Sequence, residues 1–263
     1  MQSIIYEVDA RGIATVTLNR PDVHNAFDDL MIAELTEVFS FIDQDKAVRA
    51  LLLKANGKSF CAGADLNWMK KMVHYSRAQN KADAEKLALM LHKLFTLCKP
   101  TIARVQGPAY GGAVGLIACC DIAVGSKQSK FGLTEVKLGL IPATISPYVI
   151  QAIGVKEAKR LFLTAESISS KQAKRLGLLS EQVKSSELDN VIEDLLSKIL
   201  KNGPSALSKA KQLALDVSGR EIDPTLISST SQCIADIRVS EEGQEGLTAF
   251  LEKRRPHWQS TDE

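Results

Sequence analysis

Two stretches share one design. FCAGADL (60–66) and GPAYGGAVG (107–115) each follow an apolar run that reads as a strand and lead into a run that reads as a helix, with glycines at the junction. Glycine lets the backbone approach a ligand closely, and the first N–H groups of a helix have no partner inside it. Each loop can therefore aim an amide at an anionic oxygen, and two such donors meeting at one point would form an oxyanion hole. The same glycines would equally serve close packing of a helix on a strand, and the pattern alone leaves both readings open. Neither loop has the GxxxxGK[ST] or GxGxxG spacing, which argues against a nucleotide phosphate cradle.

Other chemistry has less support. The five cysteines (61, 98, 119, 120 and 233) make an odd number without CxxC spacing, which fits a reducing compartment and argues against disulfides or zinc. Adjacent Cys119 and Cys120 read as small packing residues. The four histidines (24, 74, 92 and 257) are scattered and form no HExxH pattern, so no metal centre is expected.

The elements that must position the two loops can be read from periodicity. IIYEV and IATVTLN flank the turn DARG as an opening hairpin, and MIAELTEVFSFIDQ has helical spacing. RALLLKA (49–55) reads as a buried strand, ADLNWMKKM as a helix start, and KADAEKLALMLHKLFTLC as a long amphipathic helix stopped by Pro100. Then come the strand TIARVQG, the helix GGAVGLIACC, the strand DIAVGS and a short strand with a turn in SKFGLTEV. This alternation predicts an α/β fold. From about Ile145 onward every segment reads as helical, and KILKNGPS (198–205) marks a boundary, giving a core of residues 1–198 and a helical region of residues 199–263.

The composition sets outer limits. A chain of 263 residues that is 45% hydrophobic can bury a full core. With 33 basic and 31 acidic residues, the net charge of +2 provides no field for nucleic acid or an acidic membrane. The start MQSIIYEVDARG lacks a basic and then apolar leader, and the apolar run 109–124 is too short for a bilayer, so a cytoplasmic protein is expected.

The chain resembles the crotonase, or enoyl-CoA hydratase/isomerase, superfamily over nearly its whole length. The resemblance rests on six motifs in order: LNRPDVHNAF (18–27), FCAGADL, VQGPAYGGAVGLIACCDIAVGS (105–126), SKFGLTEVKLGLIP (129–142), KEAKRLFLTAESISSKQAKRLGLL (156–179) and EGLTAFLEKRRP (245–256). It implies a spiral core of ββα units, a C-terminal helical trimerisation region, and a homo-oligomer that is a trimer or a dimer of trimers. The implied substrate is an acyl-CoA thioester, with CoA part of the substrate and no separate cofactor.

Carried over by position, the resemblance makes the amides of Ala64 and Gly112 the oxyanion hole and Glu135 the acid/base at the α-carbon. An apolar setting from Phe131, Leu133 and Val136 would raise the pKa of Glu135 for that task. It assigns Val23, His24, Ala26, Ala62, Asp65, Leu66 and Asn67 to CoA, with Phe250 and Lys253 often coming from a neighbouring subunit. Asp65, at a helix start, also reads as a cap. Gly111, Gly115 and Thr144 complete the implied substrate site.

The sequence departs from the family at two places. Hydratases of the family carry a second glutamate where this chain has Gly115, and their glycine-rich segment after IP is replaced by ATISPYV (143–149). Thr144 and Ser146 could orient a water or cap the next helix. The closest likeness within the family is to hydratases of methylglutaconyl-CoA-type substrates, whose distal carboxylate would help position water. Lys70, Lys71, His74 and Arg77 are candidate partners for that carboxylate. An isomerase using Glu135 alone and a CoA-binding member without hydratase activity, serving as an assembly or RNA-associated subunit, are the alternatives.

Overall fold

The computed structural model describes residues 2–259. Its main sheet is built from β1 (Ile4–Val8), β2 (Ile13–Leu18), β3 (Ala50–Ala55), β4 (Thr101–Val105), β6 (Ile122–Ser126) and β9 (Glu181–Val183), in the order β1-β2-β3-β4-β6-β9. The opening hairpin is antiparallel, and the other pairings are parallel. A smaller sheet, β5 (Ala109–Tyr110), β7 (Lys130–Gly132) and β8 (Ser167–Ser169), leans off it in the order β5-β7-β8.

Alternate residues of each strand serve opposite faces of the main sheet. Ile13, Ala50, Ile102 and Val124 point to one side, where α7 (Leu188–Leu200) lays down Leu188, Ile192, Leu196 and Ile199 at helical spacing. Ala14, Val16, Leu51, Leu53, Ala103 and Val105 point to the other side, into the larger core. That core is closed by α1 (Asp29–Gln44), α3 (Arg77–Thr96), α4 (Gly112–Cys119) and α5 (Ser146–Thr164). The remaining core helices are α2 (Leu66–Met72) and α6 (Ser170–Leu176).

The expectation that everything after Ile145 is helical needs correction. β8 and β9 interrupt it, and β9 forms an edge of the main sheet. Each spans three residues, too few to display an alternation, and pairing with a partner strand supplies the stabilisation that local pattern does not. Within α5 the helix is kinked at Gly154, which has φ +77° and ψ 157°.

The chain then continues as α8 (Pro204–Val217), α9 (Pro224–Val239) and α10 (Glu241–Leu251), which pack on one another. Lys211 of α8 reaches back to Asp121 at 2.9 Å, and that carboxylate also accepts from the backbone N–H and hydroxyl of Thr101 at the start of β4. α9 buries little besides Leu226. Ile227, Ile234, Val239, Leu247, Phe250 and Leu251 are exposed in this single chain. All five cysteines are free; Cys61 and Cys119 are buried and Cys233, on α9, is exposed. Among the described residues no helix is long and apolar enough to cross a membrane.

Candidate active site

The two glycine loops are stitched side by side. Phe60 and Cys61 both donate their N–H to Pro108 O, and Tyr110 donates to Cys61 O at 3.0 Å. Gly63, at φ +92°, turns the first loop so tightly that a β-carbon there would sit 3.0 Å from Tyr110 O. A second stitch comes from Phe27, whose N–H donates to Gly63 O at 2.7 Å and whose carbonyl accepts from Asp65 at 2.8 Å. Those two bonds flank Ala64 and leave its own N–H directed away from Phe27. The Phe27 ring, fully buried, also lies under Gly112, where an added β-carbon would meet it at 3.2 Å.

Among the described residues neither the Ala64 nor the Gly112 N–H donates to a protein acceptor. Gly112 is the first residue of α4, so its amide carries the unpaired donor character of a helix start. Gly111 ahead of it has φ +54° and ψ −123°, a conformation for glycine alone, and its N–H donates to Gly132 O of β7 at 2.9 Å. That bond brings β7 and the turn after it, residues 135–138, against the start of α4.

Glu135 opens this turn and lies over Gly111: a β-carbon on Gly111 would be 3.2 Å from Glu135 Oε1. Its Oε2 is buried with no hydrogen-bond partner. Phe131 and Leu133 are buried beside it in sequence and Val136 is half-buried. Burial raises the pKa of the Glu135 carboxyl, with a hydrogen bond from its own backbone N–H opposing the shift. An uncommitted carboxyl of raised pKa next to two free amides is suited to carry a proton to or from a carbon whose neighbouring oxygen the amides hold.

Asp65, 5% exposed, caps α2 by accepting from the N–H groups of Asn67 and Trp68. Its other oxygen meets Arg20 at 3.0 Å, and Arg20 also pairs with Asp28 at 3.0 Å, the cap of α1. Burial raises the Asp65 pKa, but the two amides and the guanidinium outweigh it and hold it low. Arg20 thus ties the loop 24–26 to the loop 63–65. Sequence reasoning missed it, although an arginine one residue before Pro21 and within eight residues of Asp28 was a visible signal.

The other expected residues are placed as follows. Val23 and His24 are exposed, Ala26 is buried, and His24 O accepts from Ala62 N–H at 3.0 Å, so these two segments run together. Leu66 is 74% exposed and Asn67 is exposed, both at the start of α2. Lys70, Lys71, His74 and Arg77 are exposed and make no ion pair among the described residues. Phe250, 82% exposed, and Lys253 lie at the end of α10, which packs on α8 and α9. Thr144 is half-buried, and neither it nor Ser146 caps α5: Ile145 holds the N-cap position without a side-chain bond, and Ser146 Oγ donates to Ala143 O.

Gly115 is buried on α4, and the space its side chain would need is taken: a β-carbon there would fall 2.8 Å from Ile145 Cβ and closer still to Cγ2. Cys61 lies beneath the first loop, its Sγ accepting from Gly63 N–H at 3.4 Å, and burial pushes its thiol up to about 12. It is a packing group, not a nucleophile.

A mostly parallel sheet, a small second sheet, α4 springing from a glycine pair and a terminal helical region define a crotonase-like α/β protein. A family model described as enoyl-CoA hydratase/isomerase matches residues 9–261, and the chain belongs to that family. It is 33% identical to a short-chain-enoyl-CoA hydratase of Clostridium acetobutylicum over 97% of both chains. It is 31% identical to a crotonyl-CoA hydratase of Syntrophomonas wolfei over 98% of both. The crystal structure of an enoyl-CoA hydratase from Shewanella pealeana superimposes with a TM-score of 0.95 at 45% identity, covering 98% of this chain and 96% of that one. The protein is thus an enzyme of the enoyl-CoA hydratase/isomerase type.

Proposed function

We propose that the protein adds water reversibly across a 2-enoyl-CoA. The amides of Ala64 and Gly112 hold the thioester oxygen, and Glu135 is the single proton carrier. The observation that carries this reading is the Glu135 carboxyl: Oε2 is buried and unpartnered, and Oε1 lies over Gly111 beside a free amide. As water attacks the β-carbon, negative charge moves through the α-carbon onto the thioester oxygen, where each donor is worth about 3–4 kcal/mol. The protonated carboxyl gives its proton to the α-carbon from one oxygen and takes the water's proton on the other. It is restored in the same turnover.

The finer proposal is a substrate of the 3-methylglutaconyl-CoA kind. Its distal carboxylate would orient water in the absence of a second protein carboxylate, and one of Lys70, Lys71, His74 and Arg77 would face it. The CoA portion would follow Val23, His24, Ala26, Ala62 and Asp65 to Asn67. Phe250 and Lys253 of a neighbouring copy would complete the site, residues 199–263 forming the association region of a trimer or dimer of trimers. Support for association comes from the apolar residues that α9 and α10 leave exposed; a monomeric mass in solution contradicts it. Five unpaired cysteines agree with a cytoplasmic setting.

A second reading, isomerisation of a 3-enoyl-CoA, is favoured by Gly115 and the isoleucine that fills its space. One carboxylate suffices to take a proton at one carbon and return it two carbons away. Crotonyl-CoA, 3-methylglutaconyl-CoA and a 3-enoyl-CoA, each offered to the wild type and to Glu135→Gln, separate the readings. Turnover of either of the first two supports hydration, and turnover of only the third supports isomerisation. Equal rates on a neutral and a dicarboxylate substrate of similar size remove the role of the distal carboxylate. Full activity in Glu135→Gln removes Glu135. CoA-ester binding without any turnover returns the non-catalytic alternative.

A further inference from the structure

Ala64 stands one residue ahead of the cap of α2, and α2 has few anchors. It is seven residues long, makes no extensive contact with another helix or strand among the described residues, and buries a single side chain, Trp68. Leu66, Asn67, Lys70 and Lys71 face solvent. The Trp68 ring, 5% exposed, is part of the larger core, and half-buried Met72 adds an apolar contact at the far end of the helix.

Trp68 is tied to the first glycine loop through its own backbone. Its N–H donates to Asp65 Oδ1 at 3.3 Å, and the Asp65 N–H donates to Phe27 O at 2.8 Å, one of the two bonds that flank Ala64. A shift of the indole therefore moves the peptide units that set the direction of the Ala64 amide.

The indole carries one donor, Nε1–H, and it is buried without a hydrogen-bond partner among the described residues. A buried indole N–H ordinarily has an acceptor. The group it faces is the half-buried carboxyl of Asp83 on α3. Burial raises the pKa of that carboxyl, the Trp68 N–H and Lys86 oppose the shift, and Asp29 at the start of α1 adds to it. α3 packs on α1 and on α4, the helix that begins with Gly112. Asp83 thus joins the helix beside one proposed donor to the scaffold that carries the other.

We infer that Trp68 is a positioning residue for the oxyanion hole: its ring anchors α2 in the core, and its indole N–H, closing on the Asp83 carboxyl, holds the Ala64 amide in line with that of Gly112. The inference rests on the proposed role of these two amides. Both side chains act through the place of Ala64, where an error of about 1 Å is enough to cost about a hundredfold in rate.

The test follows turnover, thermal unfolding and tryptophan emission of the full chain, with whichever of the three CoA esters named above the wild type turns over fastest. Trp68→Phe keeps a buried ring and loses the donor, Asp83→Ala loses the acceptor, and Asp83→Asn keeps an acceptor oxygen without the charge. Trp68→Phe and Asp83→Ala should each lower kcat about tenfold with KM changed less than about twofold. The double variant should be no worse than either single one, and Asp83→Asn should retain most of the activity. Trp68 and Trp258 are the only tryptophans, so in a Trp258→Phe background the emission reports Trp68 alone, and Asp83→Ala should change it.

Additive losses, or an emission indifferent to Asp83→Ala, overturn the contact. A lower Tm with unchanged kcat and KM leaves only a structural anchor and overturns the positioning role, as does a raised KM with kcat intact, which would make Trp68 a wall of the acyl site. Should Trp68→Phe fail to fold, Asp83→Ala against Asp83→Asn carries the test, and equal kcat in the two overturns the inference. Failure of the oxyanion reading appears separately: Ala64→Pro, which deletes the amide itself, would then turn over at the wild-type rate, while the emission change at Asp83→Ala would persist.

Discussion

Replacing Gly111 by alanine perturbs the site twice, and the two effects can be measured apart. The backbone at φ +54° and ψ −123° is open to glycine and strained for an L-residue, a cost of about 1–3 kcal/mol. For a domain of this size each kcal/mol moves Tm by about 2–4 °C, so a fall of about 2–12 °C is expected. The new methyl group also meets Glu135 Oε1 at 3.2 Å and Cδ at 3.8 Å, and the carboxyl must give way by some tenths of an ångström. A displacement of 1 Å at a reacting group costs about a hundredfold in rate, so kcat should fall by about an order of magnitude with KM little changed. Gly112→Ala is the control, because its φ is ordinary and only the Phe27 ring resists at 3.2 Å. It should cost less in Tm while still shifting the proposed oxyanion donor. Differential scanning fluorimetry and absorbance-based turnover of a 2-enoyl-CoA supply both readings. A Gly111→Ala protein with wild-type Tm and wild-type kcat would refute the strain argument and the closeness of Glu135 together.

Two further outcomes follow from the same geometry. Because the folded-state pKa of Glu135 lies above its ordinary value of 4.5, the native protein holds that proton more tightly than the unfolded chain. Wild-type stability is then lost as pH rises from 4.5 through the raised pKa, whereas Glu135→Gln does not titrate, so its Tm advantage should widen across that window. An advantage that is the same at about pH 4 and about pH 8 contradicts the raised pKa. Asp65→Ala removes the cap of α2 and one of the two carboxylates on Arg20, and should destabilise by about 0.5–2 kcal/mol in chemical unfolding. Asp65→Asn, which keeps an oxygen for the Asn67 and Trp68 amides, should recover most of the loss; no difference between the two variants contradicts a capping role.

Local pattern made the hairpin, the long helices and the central strands readable, since each displays a clear period of two or about 3.6 residues. β8 and β9 escaped because three residues have no period to read and their pairing partners lie far away in sequence. At the site, the glycine loops announced themselves through composition, and Glu135 came through the resemblance. Ile145 gave no signal of its own. An isoleucine after Thr144 is unremarkable until α5 folds against α4 and the vacancy at Gly115, thirty residues earlier, proves to be the hole it fills. The Arg20 network was hidden for the same reason, its two carboxylates being brought together only when the loops at 28 and 65 meet.

The distribution of thiols has a practical consequence. Burial pushes Cys61 and Cys120 up to about 12 and raises Cys119 well above the usual thiol range, while Cys98 is half-buried and also raised. Cys233 alone stands exposed, in the middle of the sparsely buried helix α9. A maleimide dye is therefore expected to react first at Cys233, without engineering. That point lies on the surface proposed to meet a neighbouring copy, so labelling rate against protein concentration reads out assembly directly.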